Sequence, residues 1–439
     1  MTRIFPQYTY GNGPRDGCWW DETVKTSVRP ALARDTKCDV AIVGAGFTGL
    51  SAALHLAQRG AKVIVLDANS AGWGASGRNG GFCCLGGSMS SDAALDRQYS
   101  HAARHEWRKT ERFAVELVET LINSLSIDVD RHSHGETCLA HKPRAFEQLK
   151  EEAASIYENY GVEPDVLPPS ELASAGLSGP FHGALTIPIG FGLNPRKYLD
   201  GLIKACLRLG VAIYDNSPAL NVTSGTVKTP EGVVRAEQIV VATNGYSSED
   251  TLPWMAARYM PAQSTVIVTR PLTAAELQDQ GWSSDQMCYD TRHLLHYFRL
   301  MPDRRFLFGM RGGLLSGPKA EKAARSKVVR DFRSMFPTWS HVDVTHAWSG
   351  LVCLSRDRVP YVGPVPGMPG VLTGFAYHGN GVAMGTYTGY ALAALASGQE
   401  PDRYPSVMSN AASRFPLGRF RRLLMPPVYA GFGLNDALP

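Results

Sequence analysis

CDVAIVGAGFTGLSAALHLAQRGAKVIVLDA, residues 38–68, is the stretch from which the rest of the chain can be read. Val40 to Val43 form a continuous apolar run, as expected of a parallel strand buried on both faces. Gly44, Gly46 and Gly49 come next as G-x-G-x-x-G, and Leu50, Ala53, Leu54 and Ala57 then recur at helical spacing. Gly60 ends that helix, Val63 to Leu66 give a second buried strand, and the strand ends on Asp67. A glycine triplet alone is a weak signal; set between a strand and a helix, with an acid closing the second strand, it specifies a dinucleotide-binding βαβ unit. Gly44 permits the tight turn, Gly46 lets a pyrophosphate approach the backbone, and Gly49 lets the helix pack on the strand. Free N–H groups at the helix start favour phosphate, and Asp67 is placed to accept from a ribose. The cofactor-binding candidates here are Gly44, Ala45, Gly46, Phe47, Thr48, Gly49, Asp67 and Ala68. The unit by itself does not distinguish FAD from NAD.

The segment after Asp67 makes that distinction. ANSAGWGASGRNGGF, residues 68–82, replaces the ordinary crossover helix with a glycine-rich polar loop. Such a loop lines a second stretch of cofactor with backbone N–H groups, and Ser76 and Arg78 are available to phosphate or flavin oxygens. Gly74, Ala75, Ser76, Gly77, Arg78, Asn79, Gly80 and Gly81 therefore join the candidates, while Trp73 and Phe82 indicate that the loop is packed.

Working outward, residues 1–35 read as an extended arm, 101–125 and 145–160 as amphipathic helices, and 195–209 as a further helix. Ile239 to Val241 are a short buried strand; VIVT at 266–269 and RFLFGM at 305–310 read as strands of a different, more solvent-facing sheet. Residues 371–397 read as strand, glycine turn and a small-residue helix from about Val382 to Ser397. The 439 residues exceed one ordinary core, so two domains are expected. A net charge of +4 with no basic tract gives no reason to expect nucleic acid. The eight cysteines make no C-x-x-C pair and have no histidine at metal spacing, so reduced thiols, no metal and a cytoplasmic setting are expected. No signal peptide and no transmembrane segment are expected either.

Together with the βαβ unit and the S-G-R-N-G-G loop, five further blocks carry a resemblance. They are the CWW-x-E-T arm, LNPRKYLDGL at 193–202, VVATNGY at 240–246, WSGLVCLSRDRVPYVGP at 348–364 and HGNGVAMGTYTG at 378–389. The chain resembles the FAD-dependent amine and amino-acid oxidases, the superfamily of D-amino-acid, glycine and sarcosine oxidases, and is most similar to its γ-glutamylputrescine oxidase branch. The resemblance implies an α/β FAD-binding Rossmann-like (GR2-type) domain plus an α+β substrate domain with an antiparallel sheet. The corresponding boundaries are 36–95, 190–255 and 345–410 for the discontinuous FAD domain, 96–189 and 256–344 for the substrate domain, and a tail at 411–439 expected to pack over its own domain. It also implies that Thr243, Asn244 and Gly245 approach the cofactor. Gly379, Asn380, Gly381, Val382 and Ala383 would open a helix whose N-terminus stabilises negative charge on the reduced flavin.

The implied activity is oxidation of a primary or secondary amine, γ-glutamylated in the nearest branch, by hydride transfer to flavin N5, giving imine or aldehyde, ammonia and H2O2. The rival readings are a dehydrogenase passing electrons to a quinone or carrier, and a non-catalytic flavin-binding subunit. Tyr297, Cys353, Tyr377 and His378 are the catalytic candidates; the competing reading of each is a packed aromatic, a buried thiol or a histidine satisfied by backbone. Three departures from the family pattern bear on chemistry. Val352 stands where glycine-oxidase-type enzymes carry a carboxylate-clamping arginine, for which Arg311, Arg356 or Arg358 could substitute. No lysine occurs in Tyr289 to Arg311, where sarcosine-oxidase-like members use one toward O2, so the acceptor is O2 or another oxidant. Cys353 is displaced from the position of covalent attachment, and non-covalent FAD is expected.

Overall fold

The computed structural model describes residues 2–437. Its first sheet runs Tyr361–Pro364, Val371–Phe375, Val233–Val241, Thr36–Val43, Val63–Leu66, Ala212–Tyr214, and from Val371–Phe375 onward the strands are parallel. Val43 pairs with both Leu66 and Val241, so the strand that precedes the glycine turn lies at the centre of the sheet. Alternation along each strand sends its side chains to two separate cores. Val40, Ile42, Val63 and Val65 pack under the helices, whereas Ala41, Val43, Ile64 and Leu66 face the other side. That explains the unbroken apolar runs: neither face meets water.

Helices Phe47–Gln58, Pro195–Arg208, Ala383–Ala396 and His101–Ser124 cover the first of these faces. Pro195–Arg208 starts where it does because the Asn194 side chain accepts from the amides of Arg196 and Lys197, and Pro195 sits at the first helical position. Gly389 lets helix Ala383–Ala396 cross helix Phe47–Gln58 at close range; a Cβ there would lie 2.3 Å from the Thr48 carbonyl oxygen. His101–Ser124 was expected with the substrate half, yet its apolar stripe (Trp107, Ala114, Val118) packs into the nucleotide-side core.

The second sheet has eight strands in the order Val344–Leu354, Met260–Thr269, Phe306–Arg311, His296–Leu300, Met287–Asp290, Glu136–Leu139, Ala184–Ile187, Asp165–Leu167. Every pairing is antiparallel except that of Met287–Asp290 with Glu136–Leu139. Val344–Leu354 falls almost wholly within the 345–410 segment expected in the FAD domain, and it pairs with the length of Met260–Thr269 at the edge of the second sheet. The expected solvent-facing character is wrong, since all of Met260–Thr269 is buried. Its back packs on helix Pro318–Met335 and an aromatic cluster of Phe298, Phe306, Phe332, Phe336 and Trp339, and its front looks into a cavity.

Both chain ends are built into this body. The N-terminal arm is not simply extended: Trp20, buried in the short helix Trp20–Thr23, meets Trp348 edge-on at 6.2 Å and donates to the Asn79 carbonyl. The tail packs on its own chain. Fully buried Arg421 binds Glu249 Oε1 at 2.7 Å and the Tyr259 carbonyl at 2.8 Å, and helix Met425–Ala437 places Asp436 on His293. No helix among the described residues is long and apolar enough to cross a membrane.

Candidate active site

A cavity of about 450 Å³ lies between the two sheets. At one end the first sheet contributes the glycine turn and Asp67. Gly44 has φ +105° and lies so close to the neighbouring strand that a Cβ would stand 2.8 Å from the Ala242 oxygen. Asp67 accepts the amides of Ala45 and Asn69 at 2.8 and 2.9 Å, one on each oxygen, which leaves each oxygen a further lone pair for a ribose hydroxyl. Burial, with Asp215 nearby, pushes its carboxyl up to about 6, partly offset by those two amides. Gly46 faces the Ser76 hydroxyl, which accepts the Phe47 amide at 2.9 Å and so ties the glycine-rich loop to the helix start.

A second helix start, Asn380 to Val382, opens into the same cavity. Thr48 and Tyr377 link the two: their hydroxyls are 2.9 Å apart. Two helix N-termini, a ribose-directed acid and a glycine-lined trough in one elongated cleft fit an extended, doubly phosphorylated dinucleotide.

Not every candidate faces that cleft. Ala45, Gly49, Gly77, Gly81, Gly245 and Ala383 lie behind its wall. The Ala45 amide is taken up by Asp67, and a Cβ at Gly49, Gly77 or Gly81 would fall 1.8, 2.2 or 2.0 Å from the carbonyl oxygens of Gly44, Gly72 and Leu193. These glycines shape the wall by close packing. Arg78 lines the cleft, where it was expected to meet cofactor oxygens, and it is also held by carbonyl oxygens of the chain. The buried guanidinium donates to the carbonyls of Trp73, Gly74 and Ser349 and lies 4.3 Å from the centre of the Trp73 ring. Its charge fastens the loop to the second sheet.

The four catalytic candidates all line the cavity. Three are chemically committed elsewhere. His378 Nδ1 donates to the Gly87 carbonyl at 2.8 Å while Nε2 accepts the Ser355 amide at 3.2 Å, and burial pulls the ring down to about 4. It is neutral and has no ring nitrogen left for substrate. The Tyr377 hydroxyl is shared between Thr48 and the Gly374 carbonyl. Burial pushes the Cys353 thiol up to about 12, leaving it a protonated core residue. Cys83 and Cys84 beside the loop are buried and shifted the same way. Tyr297 alone of the four offers its hydroxyl on the sheet's cavity face, 2.9 Å from Ser264 Oγ.

The residues around Tyr297 are set by strand register. Tyr297 pairs with Gly309 and Tyr289, and Tyr289 with Cys138, so alternation puts Tyr289, Tyr297, Arg311 and Glu136 on one face. A Cβ at Gly309 or Gly80 would enter the Tyr297 ring. Of the three arginines considered as substitutes for Val352, only Arg311 reaches the cavity. It fills the space above Gly379, where a Cβ would lie 2.3 Å from Nη2, and donates to the His378 carbonyl at 2.9 Å. Glu136 was missed. Nothing in ETCL marks its first residue as functional, and only the parallel pairing with Met287–Asp290 brings it here.

Comparison with known proteins agrees with this geometry. Residues 39–395 match the DAO family, described as FAD dependent oxidoreductase. The chain is 29% identical over 417 residues to a probable oxidoreductase OrdL of Haemophilus influenzae, covering 93% of this chain and 90% of that one. It is 29% identical over 412 residues to the gamma-glutamylputrescine oxidoreductase of Escherichia coli, covering 93% and 95%. Among solved structures, glycine oxidase from Geobacillus kaustophilus superposes with a TM-score of 0.69 at 19% identity, over 85% of this chain and 98% of that chain. The chain belongs to the DAO family of FAD-dependent oxidoreductases, with FAD as its cofactor.

Proposed function

We propose that the protein oxidises a primary or secondary amine, of the γ-glutamylated kind, to an imine that hydrolyses to an aldehyde and ammonia (a primary amine where the substrate is secondary), with O2 as acceptor and H2O2 as product. FAD, held non-covalently, supplies the hydride-accepting chemistry when bound. The chain's own part is to hold and orient. Asp67 and the helix starts at Phe47 and Asn380 hold the cofactor, and the second sheet covers the reacting end and excludes water. Tyr297 and Arg311 position the substrate. The observation that carries this reading is the single cleft that joins the Asp67 trough to a face bearing Arg311, Glu136 and Tyr297. The likeness to a gamma-glutamylputrescine oxidoreductase over 93% of the chain supports the substrate class, and Val352 in place of a clamp beside the reacting carbon argues for a polar group farther away.

The test is an anaerobic titration of the FAD-loaded protein, tracking loss of the oxidised flavin bands. Bleaching by γ-glutamylputrescine but not by glycine or D-alanine is expected. Bleaching by glycine alone would overturn the amine assignment. Turnover with an artificial acceptor but none with O2 would overturn the oxidase assignment.

A further inference from the structure

Excluding the nucleotide trough, the charged side chains of the cavity reduce to very few. Asp67 and Glu136 are the acids that line it, and Asp67 belongs to the ribose end. Arg3, Arg78 and Arg311 are the bases; Arg78 is engaged by carbonyls, and Arg3 stacks on Tyr10 at the far side. The substrate end therefore holds one anion, Glu136, and one cation, Arg311. Each feels the other's charge, yet neither forms an ion pair with any described residue. Both side chains are half-buried on the cavity wall, and a ligand bearing the two opposite charges would complete both.

Glu136 is also near the reacting end. Gly190 accepts the Gly135 amide and pairs with Cys84, which sets Glu136 beside Cys84, and Cys84 Sγ in turn accepts from Asn380 Nδ2 at 3.3 Å, at the start of helix Ala383–Ala396. One thiol thus separates the acid from the helix start that supports the cofactor.

We propose that Glu136 is the ammonium-binding residue of this active site: the substrate nitrogen enters as a cation against its carboxylate and gives it one proton, while Arg311 holds a carboxylate on the same substrate. The step balances as R-CH2-NH3+ plus carboxylate giving R-CH2-NH2 plus carboxylic acid, and the neutral amine is the form whose lone pair supports loss of hydride from carbon. The inference rests on the proposed amine oxidation and narrows it to amines that carry a carboxylate. It also supplies the acid–base group that the sequence does not display.

The surroundings suit a carboxyl that exchanges a proton near neutrality. Burial pushes Glu136 up to about 7, against the lowering pull of Cys84 and Arg311. The other groups on its face, Cys138 on its own strand and Tyr289 on the neighbouring one, are held well above their ordinary values and stay protonated, as does Cys288 on the opposite face. Glu136 is then the group of this cluster that changes charge between pH 6 and 8.

Three probes separate the charges: γ-glutamylputrescine carries both, putrescine only ammonium, glutarate only carboxylate. On the FAD-loaded, anaerobic protein, Glu136→Gln should raise the calorimetric Kd of putrescine and γ-glutamylputrescine by about 10- to 100-fold, the loss of a hydrogen bond to a charged group, and leave glutarate binding unchanged. Arg311→Met should weaken glutarate and γ-glutamylputrescine by a similar factor and spare putrescine. The limb of kcat/KM that rises through about pH 7 in the parent should vanish in Glu136→Gln. Unchanged amine affinity and an unchanged pH profile in that variant would overturn the assignment even where the parent oxidises amines. A parent flavin that no amine bleaches would instead overturn the proposed function, and the calorimetric arms would still report on Glu136.

Discussion

Replacing Arg78 with methionine tests whether this buried charge braces the loop or binds the cofactor. Methionine keeps much of the aliphatic volume and removes every donor. The carbonyls of Gly74 and Ser349, which receive the guanidinium at 3.3 and 3.1 Å, are left without that partner, while the Trp73 carbonyl keeps the Arg15 guanidinium at 2.7 Å. An unsatisfied buried carbonyl costs about 1 kcal/mol or more, and the lost stacking over Trp73 about another 1 kcal/mol. Against this, the protein no longer has to desolvate a guanidinium, a cost visible in the lowering of its own pKa by burial. A net loss of about 2 kcal/mol results, equivalent to a fall of about 2 °C in the unfolding midpoint for a chain of this length. Because the bonds exist without cofactor, the midpoint should fall by the same amount in apo-protein and in protein saturated with FAD. Calorimetric melts of both forms at several FAD concentrations give the comparison. An apo-protein with the parent midpoint, together with a shrunken FAD-dependent gain, would show that Arg78 binds cofactor and that its carbonyl bonds are incidental.

The two glycines of the turn should separate under substitution by alanine. At Gly46 the new Cβ meets only a serine hydroxyl at 2.8 Å, which can rotate away at the cost of the Phe47 amide bond, so weaker FAD binding with a folded apo-protein is expected by fluorescence titration. At Gly49 it meets a backbone oxygen at 1.8 Å, so loss of the folded, FAD-binding protein is expected on gel filtration. His296 lies between Asp290 at 2.8 Å and Asp331 at 3.2 Å, and the two carboxylates raise its pKa against the opposing effect of burial. A histidine raised in the folded state gives its full stabilisation below its unfolded value of about 6.5 and loses it as pH rises through the folded value. The unfolding midpoint should therefore fall as pH rises above about 6.5, and His296→Asn should remove that slope; an equal slope in the variant would sink the assignment.

Legibility in the sequence tracked the range of the interactions. The βαβ unit could be read because most of its constraints are local: Gly49 and Asp67 act on backbone within about two dozen residues, and each demands a particular residue type. Helices Phe47–Gln58 and Pro195–Arg208 were legible for the same reason, through an apolar period and a cap. Register across distant strands has no such signature. The edge placement of Val344–Leu354 depends on its pairing with Met260–Thr269, and an apolar strand does not announce which of two sheets it will join. Arg78 shows a related ambiguity. An arginine in a glycine loop beside a nucleotide site has two partners of the same polarity, phosphate oxygens and carbonyl oxygens, and only the arrival of Ser349 from the other sheet decides between them.

The substrate end shows the limit most clearly. Glu136 and Arg311 belong to strands 175 positions apart in the chain and are separated in the sheet by the two strands His296–Leu300 and Met287–Asp290. Neither lies in a motif, and each alone reads as an ordinary charge at the end of a strand. What gives them meaning is a shared cavity: a half-buried carboxyl and a half-buried guanidinium on one wall, each pulled toward its neutral form and neither paired to the other. Single-sequence reasoning searches for residues that a backbone or a cofactor requires, and it finds the nucleotide half because FAD is common to the family. The substrate differs from one family member to the next, and so do the residues that read it. An unpaired charge in the cavity therefore carries more information about the substrate than any of the motif glycines around it, which is why Glu136, absent from every motif, is the residue on which the substrate class turns.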